Sequence, residues 1–316
     1  MGLRPEAVWE GVMALLKFKR PAPATGGPRP ATAAFLSGAS IEVMPKTAAK
    51  VEDFRALLPA GTRVYIAHID GTPIEDMVAT AARLRAEGFE PMPHFPARSI
   101  PDLATLRDWI ARYRAEAGVR EALVLAGGRP EPRGTFDSSM QLLESGAFDG
   151  FRRLHVAGHP EGSRDIDPSG GDRAVMAALR WKQAFSERTD AEMAIVTQFA
   201  FEPAPIVAWA DRLAAEGIAL PIHIGVAGPA KLQTLIRFAI ACGVGPSLDV
   251  LQKRARDVTK LVMPFEPTDL VDALAAHAAA HPGFGIERVH LFPLGGIGVA
   301  ADWLARQTGA AARATA

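Results

Sequence analysis

The sequence predicts an α/β fold, an eight-stranded parallel (β/α)8 TIM barrel. Three observations lead there. Short apolar runs alternate eight times with longer stretches of helical periodicity. Those runs are apolar on both faces, as in a parallel sheet covered by helices on either side. No G-x-G-x-x-G follows the first strand, which weighs against an open doubly wound sheet.

Residues 1–37 read as an appendage. Residues 5–18 suit an amphipathic helix with Val8, Met13, Leu15 and Leu16 on its buried face. Residues 19–33 carry prolines and glycines that forbid regular structure, the mark of a linker or wrapping arm. The barrel then occupies 38–316, with strands expected at 40–45, 63–69, 90–96, 121–127, 153–159, 192–200, 220–227 and 288–295. Between them, residues 73–87 place Ile74, Met77, Val78, Ala81 and Leu84 on one helix face. Residues 203–216 open with prolines, as helices do, and bury Ile206, Ala210 and Leu213. Gly88, Gly118 and Gly217 each follow a helix and precede a strand, where a left-handed cap favours glycine. Residues 243–287 exceed one β–α connection and predict one or two extra helices before the last strand.

Composition narrows the class. The chain has 316 residues, 48% hydrophobic and 22% charged, enough for a large core and against disorder. Lys+Arg and Asp+Glu both number 35, so the basic excess of a nucleic-acid binder is missing. The apolar runs are short and broken by charge, so no membrane span is expected. A single cysteine, Cys242, and the lack of a signal-peptide pattern lead to the expectation of a cytoplasmic protein.

In such a barrel the active site lies at the C-terminal ends of the strands. Read in order, those ends carry Glu42 and Lys46, His68 and Asp70, His94 and Arg98, Gly127-Gly128, His159-Pro160-Glu161, Thr197-Gln198-Phe199, His223 and Gly225, and Phe292 with Gly295-Gly296. Ionisable groups converging from separate strands point to a small-molecule site. Glu42 sits within an apolar strand, where burial is expected to raise its pKa and keep it a proton donor. Its structural alternative is an ion pair with Lys46 or Arg98. His94 suits either a site or a core role, His155 and His223 a supporting one, and His277 and His281 a solvated helix. The Gln198 amide offers a donor beside an acceptor, which suits a heterocycle edge. Gly127-Gly128 lets a ligand approach the backbone. No metal is expected: the first strand lacks paired histidines, and no cluster has metal-ligand spacing.

Taken together, these strand ends resemble the methylenetetrahydrofolate reductases, from about residue 40 to 300. The motifs are Ile41-Glu42-Val43-Met44-Pro45 on the first strand, Pro93-His94 on the third, His159-Pro160-Glu161 after the fifth and Val196-Thr197-Gln198-Phe199-Ala200-Phe201 on the sixth. The resemblance implies interconversion of 5,10-methylenetetrahydrofolate and 5-methyltetrahydrofolate by hydride transfer. It makes Glu42 the general acid that serves N10 on ring opening, and Gln198 the pterin-binding amide, with Phe199, Phe201, His94 and Gly128 beside the substrate. The cofactor side would take His94, Gly127, His155, His159 and Lys182, the last on a phosphate.

The sequence also departs from the family. The fourth strand usually ends Arg-Gly-Asp, and here reads Ala126-Gly127-Gly128. The aromatic position before His-Pro-Glu falls on His155, the substrate-stacking phenylalanine near Leu232, and the last-strand arginine near Gly296. Several of these losses fall in the pocket of FAD, the family cofactor. The expectation is therefore a reduced-folate enzyme in which NADH or NADPH passes hydride directly to the substrate. The alternatives are a folate-dependent methyltransferase barrel, or a folate-binding protein without catalysis.

Overall fold

The structure is a computed structural model and describes residues 29–242, 251 and 264–309. Eight parallel strands close into a barrel in sequence order. They are β1 (Ser40–Val43), β2 (Arg63–Ile66), β3 (Glu90–Pro96), β4 (Glu121–Leu125), β5 (Arg153–Gly158), β6 (Glu192–Ala200), β7 (Ile222–Ala227) and β8 (Ile286–Phe292). All eight expected strands are present, and β3 and β6 match to the residue. The seam that closes the barrel pairs Ser40 with His290 and Ile41 with Leu291.

The helices among the described residues are α1 (Pro30–Phe35), α2 (Pro45–Ala48), α3 (Ile74–Ala86), α4 (Leu103–Ala117), α5 (Ser139–Glu144), α6 (Arg173–Ser186), α7 (Pro203–Ala215), α8 (Leu232–Ala241), α9 (Thr268–Ala280) and α10 (Ile297–Thr308). Two of them, α8 and α9, lie between β7 and β8, so the long connection does hold an extra helix. The expected helix at residues 5–18 lies outside the described residues.

Part of the arm departs from expectation. Residues 30–35 are helical rather than irregular, because Pro30 stands in the first turn, where a fixed φ and a missing N–H cost nothing. This helix packs against α9 and α10. Thr32 Oγ1 donates to Asp272 at 2.5 Å, and Arg29 pairs with the same carboxylate.

The main core lies between barrel and helices. On α3, Met77, Val78, Ala81 and Leu84 are fully enclosed; on α7, Ile206, Ala210 and Leu213 are joined by Trp209. Helix ends follow the glycine punctuation: Gly88, Gly118 and Gly217 take φ of 90°, 58° and 72°.

The barrel interior is layered, as strand alternation requires. At the N-terminal end Glu121 is wholly buried among Arg63, Arg152 and Arg153, at 2.6, 2.5 and 2.8 Å. Above it, Tyr65, Met92, Leu123 and Val196 form a compact inner cluster. Four imidazoles stand around that cluster and lead up to the strand ends. No helix among the described residues is long and apolar enough to cross a membrane.

Candidate active site

Glu42 lies at the centre of the polar cluster near the C-terminal end of the barrel. The alternation of β1 turns it inward, opposite Tyr65 on β2. His94 on β3 brings Nε2 to 3.3 Å from Glu42 Oε2, and His290 on β8 brings Nε2 to 3.8 Å from the same oxygen. Both imidazole nitrogens are buried and have no hydrogen-bond partner. Two buried imidazole nitrogens thus converge on one oxygen of a half-buried carboxylate.

The sequence expectation for Glu42 is corrected in two respects. Its partners are the two imidazoles rather than Lys46, which is exposed, or Arg98, which pairs with Asp137 and Asp165 at 2.9 Å each. Its pKa is also lowered, not raised. Burial pushes it up, but the adjoining His290 and His94 outweigh burial and hold it at about 2. Glu42 therefore rests as a carboxylate.

Below this pair runs a buried polar chain. The Ser40 hydroxyl lies 2.9 Å from His290 Nδ1, and the Tyr65 hydroxyl 2.6 Å from His155 Nδ1. The Tyr65 ring lies 4.4 Å from the His290 ring, and His155 meets His223 edge-on at 4.7 Å. Burial lowers the pKa of His155 and His290, and takes His223 to about 3. The His155 and His223 rings are thereby held neutral at physiological pH. His155 and His223 lie inside the barrel, 2% and 3% exposed. His290, Ser40 and Tyr65 were missed. The available signal was alternation: His290 and Phe292 share the face of β8 that reaches the strand end, and Tyr65 holds the equivalent place on β2.

Gln198 reaches the mouth through a break in β6. The β6–β7 register shifts between Val196 and Phe199, a bulge that re-aims a side chain. Thr197 Oγ1 donates to the Gln198 carbonyl at 2.9 Å and accepts from the Gly225 N–H at 2.8 Å. A Cβ at Gly225 would sit 2.4 Å from the Thr197 carbonyl oxygen, so the bulge requires glycine there. Gln198 is half-buried, and its Oε1 accepts from the Phe199 N–H at 3.1 Å.

Other expected residues lie elsewhere. Phe199 and Phe201 are 1% and 7% exposed, packed in a second core cluster with Leu232, Leu235 and Phe265. They back the site through Phe292, whose ring is 5.4 Å from Phe199 and 4.7 Å from His290. Leu232, at the position of the family's stacking phenylalanine, is in that same core.

Gly127 has φ of 91°, and a Cβ there would meet Pro96 at 2.9 Å, whereas Gly128 faces open space. Lys182 on α6 is buried and donates to the Ala157 carbonyl at 3.2 Å; burial brings its pKa to about 8. His159 falls to about 4, through burial and then the Lys182 charge. The cations over the end of β4 are engaged: Arg129 lies 2.5 Å from Asp70, Arg133 lies 3.3 Å from it, and Arg98 holds its two aspartates. The three arginines over the end of β4 that could meet a flavin diphosphate are thus each paired with aspartate. Among the described residues no group of three or more His, Cys, Asp or Glu is arranged to hold a metal ion.

The described residues define a (β/α)8 barrel with a carboxylate, two imidazoles and an amide toward the C-terminal ends of its strands. No protein-family model matches the chain. Among solved structures it is similar to a protein from Clostridium thermocellum that binds two copies of 5-methyl-5,6,7,8-tetrahydrofolic acid. Identity is 11%, coverage 85% of this chain and 94% of that one, and TM-score 0.53, a likeness of fold. A conserved Enterococcus faecalis protein of unknown function matches at 12% identity, 85% and 64% coverage and TM-score 0.42. The carboxyl transferase domain of Rhizobium etli pyruvate carboxylase matches at 12%, 93% and 53%, and 0.43.

Proposed function

We propose that this barrel binds a reduced folate and interconverts its 5,10-methylene and 5-methyl forms by hydride transfer. The observation that carries the reading is Glu42 at the barrel mouth, with the orphaned Nε2 atoms of His94 and His290 beside it. The folate ligand of the Clostridium thermocellum barrel and the motif resemblance support the choice of substrate.

Glu42 is the proton carrier for N10. In the oxidative direction the 5-methyl group loses hydride and becomes a 5-iminium cation, which the adjacent carboxylate stabilises. N10 then attacks the iminium carbon, the five-membered ring closes, and the N10 proton passes to Glu42. Reduction runs the same path backwards from the protonated acid. The resting ionised state is ready for the first direction, and reduction needs the carboxyl to take up a proton on the way to reaction. Gln198 holds the pterin edge with its amide. Hydride leaves to, or arrives from, a nicotinamide dinucleotide bound as second substrate beside Gly128, where the backbone leaves open space.

Calorimetric titration with 5-methyltetrahydrofolate tests the binding half. Saturable binding to the wild-type chain, weakened by Gln198→Ala, is expected. Absence of binding would remove the folate reading altogether.

A further inference from the structure

Resting on the reading of a nicotinamide dinucleotide as second substrate, we infer that Arg129 and Arg133 grip its diphosphate, and that Asp70 is a built-in anion which holds the two guanidinium groups until the diphosphate displaces it. The strand order makes the arrangement. Asp70 follows β2 and both arginines follow β4, so their ion pairs bridge the end of β3, the strand that carries His94. Arg129 Nη1 lies 2.5 Å from one Asp70 oxygen, and Arg133 Nη2 lies 3.3 Å from the other. Burial first of all lowers the pKa of His68, and His94, Asp70 and Arg133 each act on that ring as well, which places the pairs beside the Glu42 cluster.

The two arginines stand on a fixed loop and are loosely held at their tips. The Arg98 N–H donates to the Ala126 carbonyl at 2.9 Å, the Arg133 N–H to the Arg98 carbonyl at 2.9 Å, and Arg98 Nη1 to the Arg129 carbonyl at 3.0 Å. Gly134 packs so closely that a Cβ there would sit 1.7 Å from the Pro101 carbonyl oxygen. Arg98 itself is 12% exposed and engaged with Asp137 and Asp165, so it serves the loop rather than a ligand. The side chains of Arg129, Arg133 and Asp70, by contrast, are 29%, 46% and 43% exposed. Ion pairs this open to water hold weakly, so a stronger anion can take the place of Asp70.

A diphosphate suits this trio in charge and in shape. Two cations share one carboxylate, which leaves one positive charge among the three groups uncompensated. Asp70 gives one oxygen to each arginine, whereas the two phosphates of a diphosphate give each guanidinium a bidentate partner of its own. Gly128 stands immediately before Arg129 with nothing within 4 Å of where a Cβ would be, so the backbone leaves room beside the pair. The other anion in this reading is the glutamate tail of the folate. It carries carboxylates like that of Asp70, and the arginines gain less by that exchange.

The test is calorimetric titration of the full chain with NADH, NADPH and ADP-ribose, in the absence of folate. Asp70→Asn is expected to tighten binding a few-fold, because it removes the competing charge. Arg129→Ala and Arg133→Ala are each expected to weaken it about tenfold. Asp70→Asn should have no effect once both arginines are replaced. Raised salt should weaken binding to wild type and spare the chain that lacks both arginines. Affinity for 5-methyltetrahydrofolate should change little in any variant. Unchanged dinucleotide affinity in folded arginine variants, or weaker binding in Asp70→Asn, would overturn the inference. Loss of folate affinity alone would also overturn it, and would give the arginines to the glutamate tail. Should Asp70→Asn not fold, the two arginine variants decide. The readout needs neither folate nor turnover. Folate bound without any dinucleotide would defeat this inference and leave the folate reading, and dinucleotide bound in the expected pattern without folate would do the reverse.

Discussion

Ser40 and His290 face each other across the seam where the first and last strands close the barrel, with Oγ 2.9 Å from Nδ1. The contact joins residues 250 positions apart. It exists only when the barrel is closed in this register, because a slip of one residue would turn His290 out of the interior. Completion of the fold and assembly of the Glu42 site are thus one event.

Glu42→Gln preserves the shape of the side chain and removes its proton exchange. Turnover is expected to fall by about 10²–10⁴-fold, with 5-methyltetrahydrofolate affinity changed only a few-fold. Single-turnover kinetics beside calorimetry checks this. A variant that keeps wild-type turnover would remove Glu42 from the chemistry.

Gly225→Ala drives a methyl group into the Thr197 and Gln198 backbone. A destabilisation of about 1–3 kcal/mol is expected, together with weakened folate binding as the bulge that aims Gln198 is displaced. Denaturant unfolding and calorimetry on one sample measure both effects. Full stability with full affinity would show that the bulge does not position the amide.

Glu121 ties stability to acid. Burial pushes its pKa up, but Arg63, Arg152 and Arg153 hold it at about 2, against an ordinary 4.5. A carboxylate depressed in the folded state stabilises above its unfolded pKa and loses that contribution as pH falls through the folded one. Its share, on the order of 3 kcal/mol, should disappear between about pH 4.5 and pH 2. Unfolding free energy measured across that window should fall less steeply in Glu121→Gln, which is itself expected to be destabilised by about 3–5 kcal/mol at pH 7 through the arginines left unpaired.

Lys182 works in the opposite sense. Its amine is buried with one carbonyl acceptor, and burial lowers its pKa from 10.5 to about 8. Folding therefore favours the neutral amine: the penalty on the charged form is absent above the unfolded value and fully present below about pH 8. Lys182→Met should unfold at higher denaturant concentration than wild type at pH 7, and the difference should vanish toward pH 10.5. A destabilised variant would mean that the lysine is held by more than the Ala157 carbonyl.

Much of the fold was legible because two signals agreed along the chain. The apolar run of residues 192–200 and the proline-opened helix behind it sit where the periodicity puts them. The helix at residues 30–35 was hidden because proline reads as a breaker, although in a first turn it is compatible with helix. Glu42, His94 and Gln198 were legible as polar groups at strand ends. The electrostatic state of Glu42 was not, because it depends on His290, whose nearness is fixed by barrel closure and not by local sequence. Phe199 and Phe201 read as substrate contacts from their motif, but alternation past the bulge turns them into the cluster behind the strand.

The central claim is hydride transfer to and from a reduced folate. It is tested most directly by incubating the purified chain with 5,10-methylenetetrahydrofolate and NADH or NADPH deuterated at the nicotinamide C4, then analysing the folate by mass spectrometry beside an absorbance spectrum of the protein. The account predicts folate-dependent nicotinamide oxidation, deuterium in the methyl group of 5-methyltetrahydrofolate, and no flavin band. Folate bound without nicotinamide oxidation would contradict it and favour methyl transfer or simple binding, and a stoichiometric flavin band would contradict direct transfer from the nicotinamide.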